Sequence, residues 1–323
     1  MTLRNIFLIT CTIGLLMCSC GQQSTNNKTT TEQKYQQLSP EFNADSAYAY
    51  VNKQVAFGPR VPNSNEHIAC GDYLVAELKR FGANVIEQRA DLKAYTGTVL
   101  HARNIIGSFN TENSNRILLF AHWDTRPFSD NDPDEKNHKI PVQGANDGAS
   151  GVGVLLEVAR NLQMKSPDVG IDIIFFDAED SGQISSTEGW CLGSEYWSKN
   201  PHVTDYKARY GILLDMVGAP DATFHKEGIS VHYANAIVEK IWGTARNLGY
   251  GKYFIDKSGM TVTDDHVPVN QIRGIPSVDI IHNDNVSGFG WYWHTTKDDM
   301  NSISTETLKA VGQTVLEVVY KEK

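Results

Sequence analysis

Arg116-Ile117-Leu118-Leu119-Phe120-Ala121-His122-Trp123-Asp124 is the stretch from which the fold can be read. Behind one arginine the run from Ile117 to Ala121 is wholly apolar, with no polar face to offer water. Such a segment is a strand from the middle of a sheet, covered on both sides by helices. It then breaks abruptly onto an imidazole and a carboxylate. The pattern recurs downstream: Ile171-Asp172-Ile173-Ile174-Phe175-Phe176 runs into Asp177-Ala178-Glu179-Asp180, and Tyr210-Gly211-Ile212-Leu213-Leu214 ends at Asp215. A fourth run, Ile275 to Ile281, precedes the segment carrying His294.

Helical spacing of apolar residues fills the intervals. It predicts helices over Asn43–Phe57, Glu66–Phe81 (closed by Gly82), Gly148–Met164, Val231–Leu248 and Thr305–Tyr320. Asn84–Ala90 and Thr98–Phe109 read as edge strands of the same sheet. The expected fold is α/β: a three-layer α/β/α sandwich around a mixed, mostly parallel twisted sheet.

Composition limits what such a domain could do. Of 323 residues, 41% are apolar and 21% charged, enough to bury a core, and the net charge of −9 offers no basic face for nucleic acid. At the N-terminus Arg4 precedes an apolar run, Ile6 to Met17, too short to span a bilayer comfortably and typical of an export signal. Leu16-Met17-Cys18-Ser19-Cys20 resembles a bacterial lipoprotein cleavage site, with a plain secretory signal as the alternative. The expected organisation is a signal peptide over 1–19, a flexible polar tether over 20–40 with Cys20 lipidated, and one catalytic domain over 41–323. This implies an exported, periplasmic protein whose only membrane contact is the lipid. No obvious interface stripe is visible, which favours a monomer. Cys70 and Cys191 remain in the mature domain, either bonded in an oxidising compartment or buried as small hydrophobes.

Sites in open α/β sheets form at the carboxyl ends of strands. His122, Glu179, Asp180, Asp215 and His294 all follow strands, and Gly144-Ala145-Asn146-Asp147-Gly148-Ala149-Ser150 places Asp147 at a helix start. Taken singly each has a bland reading: Asp147 a helix cap, Asp215 the start of a turn, His294 a satisfied histidine, Glu179-Asp180 a solvated loop. Together they are metal-ligand types converging on one crevice. Carboxylates plus imidazole without thiolate suit a catalytic zinc. In the pair Glu179-Asp180, one carboxylate can bind metal while its neighbour serves as general base.

His122-Trp123-Asp124-Thr125-Arg126-Pro127, Gly144 to Gly151, Phe175 to Asp180, Leu213 to Ala219, Asp264-Asp265-His266-Val267-Pro268 and Trp293-His294-Thr295 occur in that order. Together they resemble the zinc-dependent glutaminyl-peptide cyclotransferases of the animal type, which also occur in bacteria and are related to the zinc aminopeptidases. The resemblance covers about residues 42 to 320. It implies one zinc per chain on Asp147, Asp180 and His294, with Glu179 as acid/base and Asp215 and Asp264 in a hydrogen-bonded carboxylate network with it. Trp190, Phe289 and Trp293 would line an apolar pocket for glutamine, and the substrates would be peptides or proteins with N-terminal Gln, converted to pyroglutamate with release of ammonia. Two positions depart from the animal pattern: Asp180 stands where the family has Glu, and Asp279 where it has His. The alternative is a two-zinc aminopeptidase, with a second metal on His122 and Asp215 and Asp147 bridging. A third possibility is a surface lipoprotein that binds peptides without turning them over.

Overall fold

The computed structural model describes residues 35–184, 186–284 and 286–323. The expected export signal, Cys20 and the tether up to residue 34 lie outside the described residues. Helices α1 (Ala44–Val55) and α2 (Asn65–Arg80) come first, each started by a side chain that satisfies an orphan amide: Asn43 accepts from Ser46, and Ser64 from His67. Gly82, at φ +84°, ends α2 in the left-handed region and releases the chain into β1 (Asn84–Lys93). There follow β2 (Val99–Phe109), β3 (Arg116–His122), α3 (Ala149–Met164), β4 (Gly170–Phe176), α4 (Leu192–Lys199) and β5 (Gly211–Asp215). The remainder is β6 (Phe224–Lys226), α5 (Gly228–Asn247), β7 (Phe254–Ser258), α6 (His266–Pro268), β8 (Ser277–Ile281) and α7 (Thr305–Lys321).

The main sheet has the order β1-β2-β4-β3-β5-β8. β3 runs parallel to β4 and β5, and β5 parallel to β8, while β2 is antiparallel to both β1 and β4. The mixed α/β/α sandwich expected from the sequence is what forms. One expectation needs correction: β2 is not an edge strand. Its first half pairs only with β1, but Ile105 to Phe109 also pair with β4. The alternation over Val99–Arg103 gives the edge signal, and the buried doublet Ile105-Ile106 belongs to the interior.

Side-chain alternation splits the core into two layers. Ile117, Leu119, Ala121, Ile173 and Phe175 point into the larger layer, beneath α1, α2, α3, α5 and α7. Leu118, Phe120, Ile174 and Phe176 point the other way and meet Trp197 of α4 and Val269 just after α6. Each fully buried Leu, Ile or Phe contributes roughly 1.5–3 kcal/mol of transfer free energy. The sandwich is therefore asymmetric, with long helices on one side and short ones on the other.

Packed structure starts before the compositional change at Pro40. Tyr35 donates its hydroxyl to Glu317 of α7 at 3.0 Å, and the Ser39 amide bonds the same carboxylate at 2.9 Å. Cys70 and Cys191 are both free and buried, so neither is in a disulfide; Cys70 belongs to the apolar core.

The close approach of α3 to β5 matters most for function. A Cβ on Gly151 would lie 2.1 Å from the Leu214 carbonyl, so only glycine lets α3 begin directly above the end of β5. This brings Asp147, at the head of α3, beside Asp215. The carboxyl ends of β3, β4, β5 and β8 thereby open on one crevice.

Candidate active site

The loop after β4 carries Glu179 and Asp180, and Asp124, just beyond β3, fixes it. The two Asp124 oxygens accept the amides of Glu179 at 3.1 Å and Asp180 at 3.2 Å. Asp177 anchors the start of the loop, taking the Arg103 amide at 2.6 Å and facing His67 Nε2 at 2.9 Å. On the α3 side, Asp298 accepts the amides of Asn146 and Asp147 at 2.8 and 3.0 Å. Asp147 is not a helix cap: Gly148 holds that position, and no side chain caps α3.

Asp147, Asp180 and His294 come together as the sequence suggested, all buried, with one ligand atom from each lying within 4.8 Å of the others. His294 Nε2 is 3.3 Å from Asp180 Oδ1 and 3.8 Å from Asp147 Oδ2. Burial, followed by the charge of Asp180, pushes the Asp147 carboxyl up to about 6. Burial also works against an ionised Asp180, but His294 and Arg126 outweigh it and hold this carboxyl below its ordinary value. Asp180 Oδ2 is buried without a hydrogen-bond partner. An orphaned buried carboxylate oxygen, a second carboxylate and an imidazole make a donor set that fits zinc.

A second group shares one member with the first. His122 Nε2 lies 3.0 Å from Asp147 Oδ1 and 3.1 Å from Asp215 Oδ1. Asp215 Oδ1 faces His122, and Asp264 Oδ1 accepts the Asp265 amide. Asp215 and Asp264 act on each other through charge. Burial, then Asp215 and Asp265, raise the Asp264 carboxyl well above its ordinary value.

Glu179 is buried beside this network, and burial raises its carboxyl far above the usual range. The negative charges of Asp264, Asp180 and Asp265 add to that effect, and His122 opposes it. Cys191, held at φ +56° before α4, directs its thiol to Glu179 Oε1 at 3.3 Å. Asp279 is fully buried, with neither oxygen hydrogen-bonded and His266 Nδ1 3.9 Å away.

Above these groups lies a cavity of about 240 Å³ whose lining includes Trp190, Phe289, Trp293, Glu179, Asp264 and His294. The Phe289 and Trp293 rings sit 4.6 Å apart, and Trp293 stacks on His294 at 4.0 Å. Trp190 lies parallel to the same imidazole at 5.9 Å. All three aromatic residues expected at the pocket are there. Sequence reasoning missed Asp124, Asp298, Arg126 and Cys191 as parts of the site. Asp124 and Arg126 carried a local signal, two and four residues past His122 in the same post-strand motif.

Residues 104–319 match the model of peptidase family M28, and the chain belongs to that family. A Zn-dependent exopeptidase from Parabacteroides distasonis is 62% identical, with a TM-score of 0.87 over 88% of this chain and 99% of that one. A glutaminyl cyclase from Bacteroides thetaiotaomicron, solved bound to N-acetylhistamine, is 58% identical, with a TM-score of 0.86 over 88% of this chain and all (100%) of that one. An aminopeptidase of Bacillus subtilis is 30% identical over 292 residues; the match takes in 86% of this chain, which spans 57% of that relative's length.

Proposed function

We infer that this chain is a zinc-dependent glutaminyl-peptide cyclotransferase, acting on peptides or proteins with N-terminal Gln. The observation that carries the reading is the aromatic pocket of Trp190, Phe289 and Trp293 placed over the Asp147–Asp180–His294 triad, with Glu179 on its wall. The likeness to the Bacteroides glutaminyl cyclase supports it. Asp147, Asp180 and His294 would hold one zinc, which when bound would supply Lewis-acid polarisation of the γ-carboxamide.

The chain's own residues do the rest. Phe289, Trp293 and Trp190 exclude water and hold the glutamine folded, so that its α-amine reaches its own γ-carbon. Glu179 takes the proton from the amine as the new C–N bond forms. It returns that proton to the departing nitrogen, which leaves as ammonia. Burial and the surrounding carboxylates raise the Glu179 carboxyl, which favours its holding the proton between the two transfers.

The alternative, a two-zinc aminopeptidase, draws on the clustering of His122, Asp147 and Asp215 within 4.8 Å. A second metal there would claim the substrate's free amine and prevent its attack. Metal stoichiometry separates the two readings. One zinc per chain is expected, lost in His294→Ala; two zincs per chain would favour hydrolysis.

The N-terminal pattern from Arg4 to Cys20 supports export and lipid anchoring. Labelling with a palmitate analogue should mark the wild type and not Cys20→Ala; equal labelling of both would refute the anchor.

A further inference from the structure

Arg126 has no part in the proton transfer above, yet it touches both a metal-ligand candidate, Asp180, and the pocket residue Trp190. It leaves β3 four residues after His122 and is 1% exposed. Its Nε and Nη2 form a fork on Asp130, at 2.8 and 2.6 Å. Nη1 reaches across to Asp180, 3.3 Å from Oδ1 and 3.3 Å from the main-chain oxygen, and to the Gly182 carbonyl at 3.2 Å. Asp130 Oδ1 in turn stands 3.6 Å from His294 Nδ1, a buried nitrogen with no hydrogen-bond partner of its own. The guanidinium carbon lies over the Trp190 ring, 4.8 Å from its centroid. Trp190 also lies against Gly182, where a Cβ would come within 2.0 Å of the indole, so the backbone must be bare for the ring to lie flat.

One cation therefore meets Asp180 directly, His294 through Asp130, and the pocket wall through Trp190. Metal-bound imidazoles are commonly oriented by a carboxylate on their second nitrogen, and loss of such a partner typically costs 10–100-fold in metal affinity. An arginine suits this position because its flat fork can bind a carboxylate edge-on while its face packs on an indole. A lysine offers the charge but neither the fork nor the plane.

We propose that Arg126 is a positioning residue that couples the metal ligands Asp180 and His294 to the pocket wall at Trp190, so that one guanidinium sets both ligand geometry and the surface against which glutamine packs. The proposal rests on the metal and pocket assignments made above. It makes ligand order and substrate affinity interdependent: disturbing the Asp130 side of the fork must be felt at Trp190.

The test uses Arg126→Lys, Asp130→Asn, Trp190→Ala and the Asp130→Asn/Trp190→Ala double variant. Zinc affinity is read by competition with a chelator, and KM for a Gln peptide at saturating zinc. Folding is checked by thermal melting of the zinc-free proteins. Arg126→Lys and Asp130→Asn should each weaken zinc by about tenfold or more and raise KM several-fold, and Asp130→Asn should raise KM no further once Trp190 is gone. Asp130 is partly exposed, so its variant carries the test should Arg126→Lys fail to fold. Wild-type zinc affinity in both variants, or independent multiplication of the two KM effects, would overturn the coupling. Wild-type protein that holds no zinc would instead overturn the metal reading beneath it.

Discussion

Glu179 and Asp180 are neighbours in one loop, yet their surroundings push their carboxyls in opposite directions. Asp180 faces His294 and Arg126 and stays ionised, as a metal ligand should. Glu179 has burial and other carboxylates around it and is driven towards the protonated form. The division of labour between ligand and shuttle follows from which charges each one meets. Glu179→Gln should lower kcat by roughly 10²–10⁴-fold while zinc binding and melting temperature stay near wild type; preserved turnover would mean that another group moves the proton. Asp124 serves both residues through their amides. Asn at this position can accept with only one of its two terminal atoms, so Asp124→Asn should weaken zinc and lower kcat together, each by about tenfold or more. A chelator competition and a rate measurement on the same sample would show whether the two move as a pair.

Among the elements, α5 shows how a helix start can carry a pH dependence. Glu227, its N-cap, accepts the Ile229 and Ser230 amides at 2.8 and 2.6 Å and faces His266 Nε2 at 3.1 Å. Burial works to raise its carboxyl, but His266 and these amides overcome it and hold it at about 2, against an ordinary 4.5. A depressed carboxyl stabilises the fold fully above its unfolded value, and that stability drains away as pH falls towards the folded one. Melting temperature should therefore fall through this window, from 4.5 down to about 2, and Glu227→Gln should be less stable at neutral pH with a shallower acid decline. Parallel acid limbs for the two proteins would contradict the assignment. At α3, Gly151→Ala would drive a methyl into the Leu214 carbonyl. Overpacking of this kind costs about 1–3 kcal/mol, so a melting point lower by several degrees is expected, with weaker zinc binding because Asp147 rides on the displaced helix.

At the scale of the molecule, the sheet was legible because its central strands are apolar on both faces, and the ligands because they follow those strands directly. Ile117–Ala121 into His122 and Ile171–Phe176 into Glu179-Asp180 needed no tertiary information. The supporting shell was not legible, and for a physical reason. Asp298 bonds amides about 150 positions away at Asn146 and Asp147, and nothing near Asp298 in sequence announces that meeting. Arg126 stood in the His122–Pro127 motif, but its pairing with Asp130 and its place beside Trp190 are set by tertiary contact. β2 failed as an edge because only its exposed first half has β1 as sole neighbour; Ile105 to Phe109 pair with β4 as well.

The central claim is that this M28 scaffold closes glutamine on itself and leaves peptide bonds uncut. The most direct measurement is mass spectrometry of two peptides incubated with the zinc-loaded protein, one beginning with Gln and one with Leu. Loss of a single ammonia from the Gln peptide, with the Leu peptide intact, is the result expected. Shortening of the Leu peptide by one residue, with the Gln peptide's terminal ring unformed, would contradict the account and identify a hydrolase.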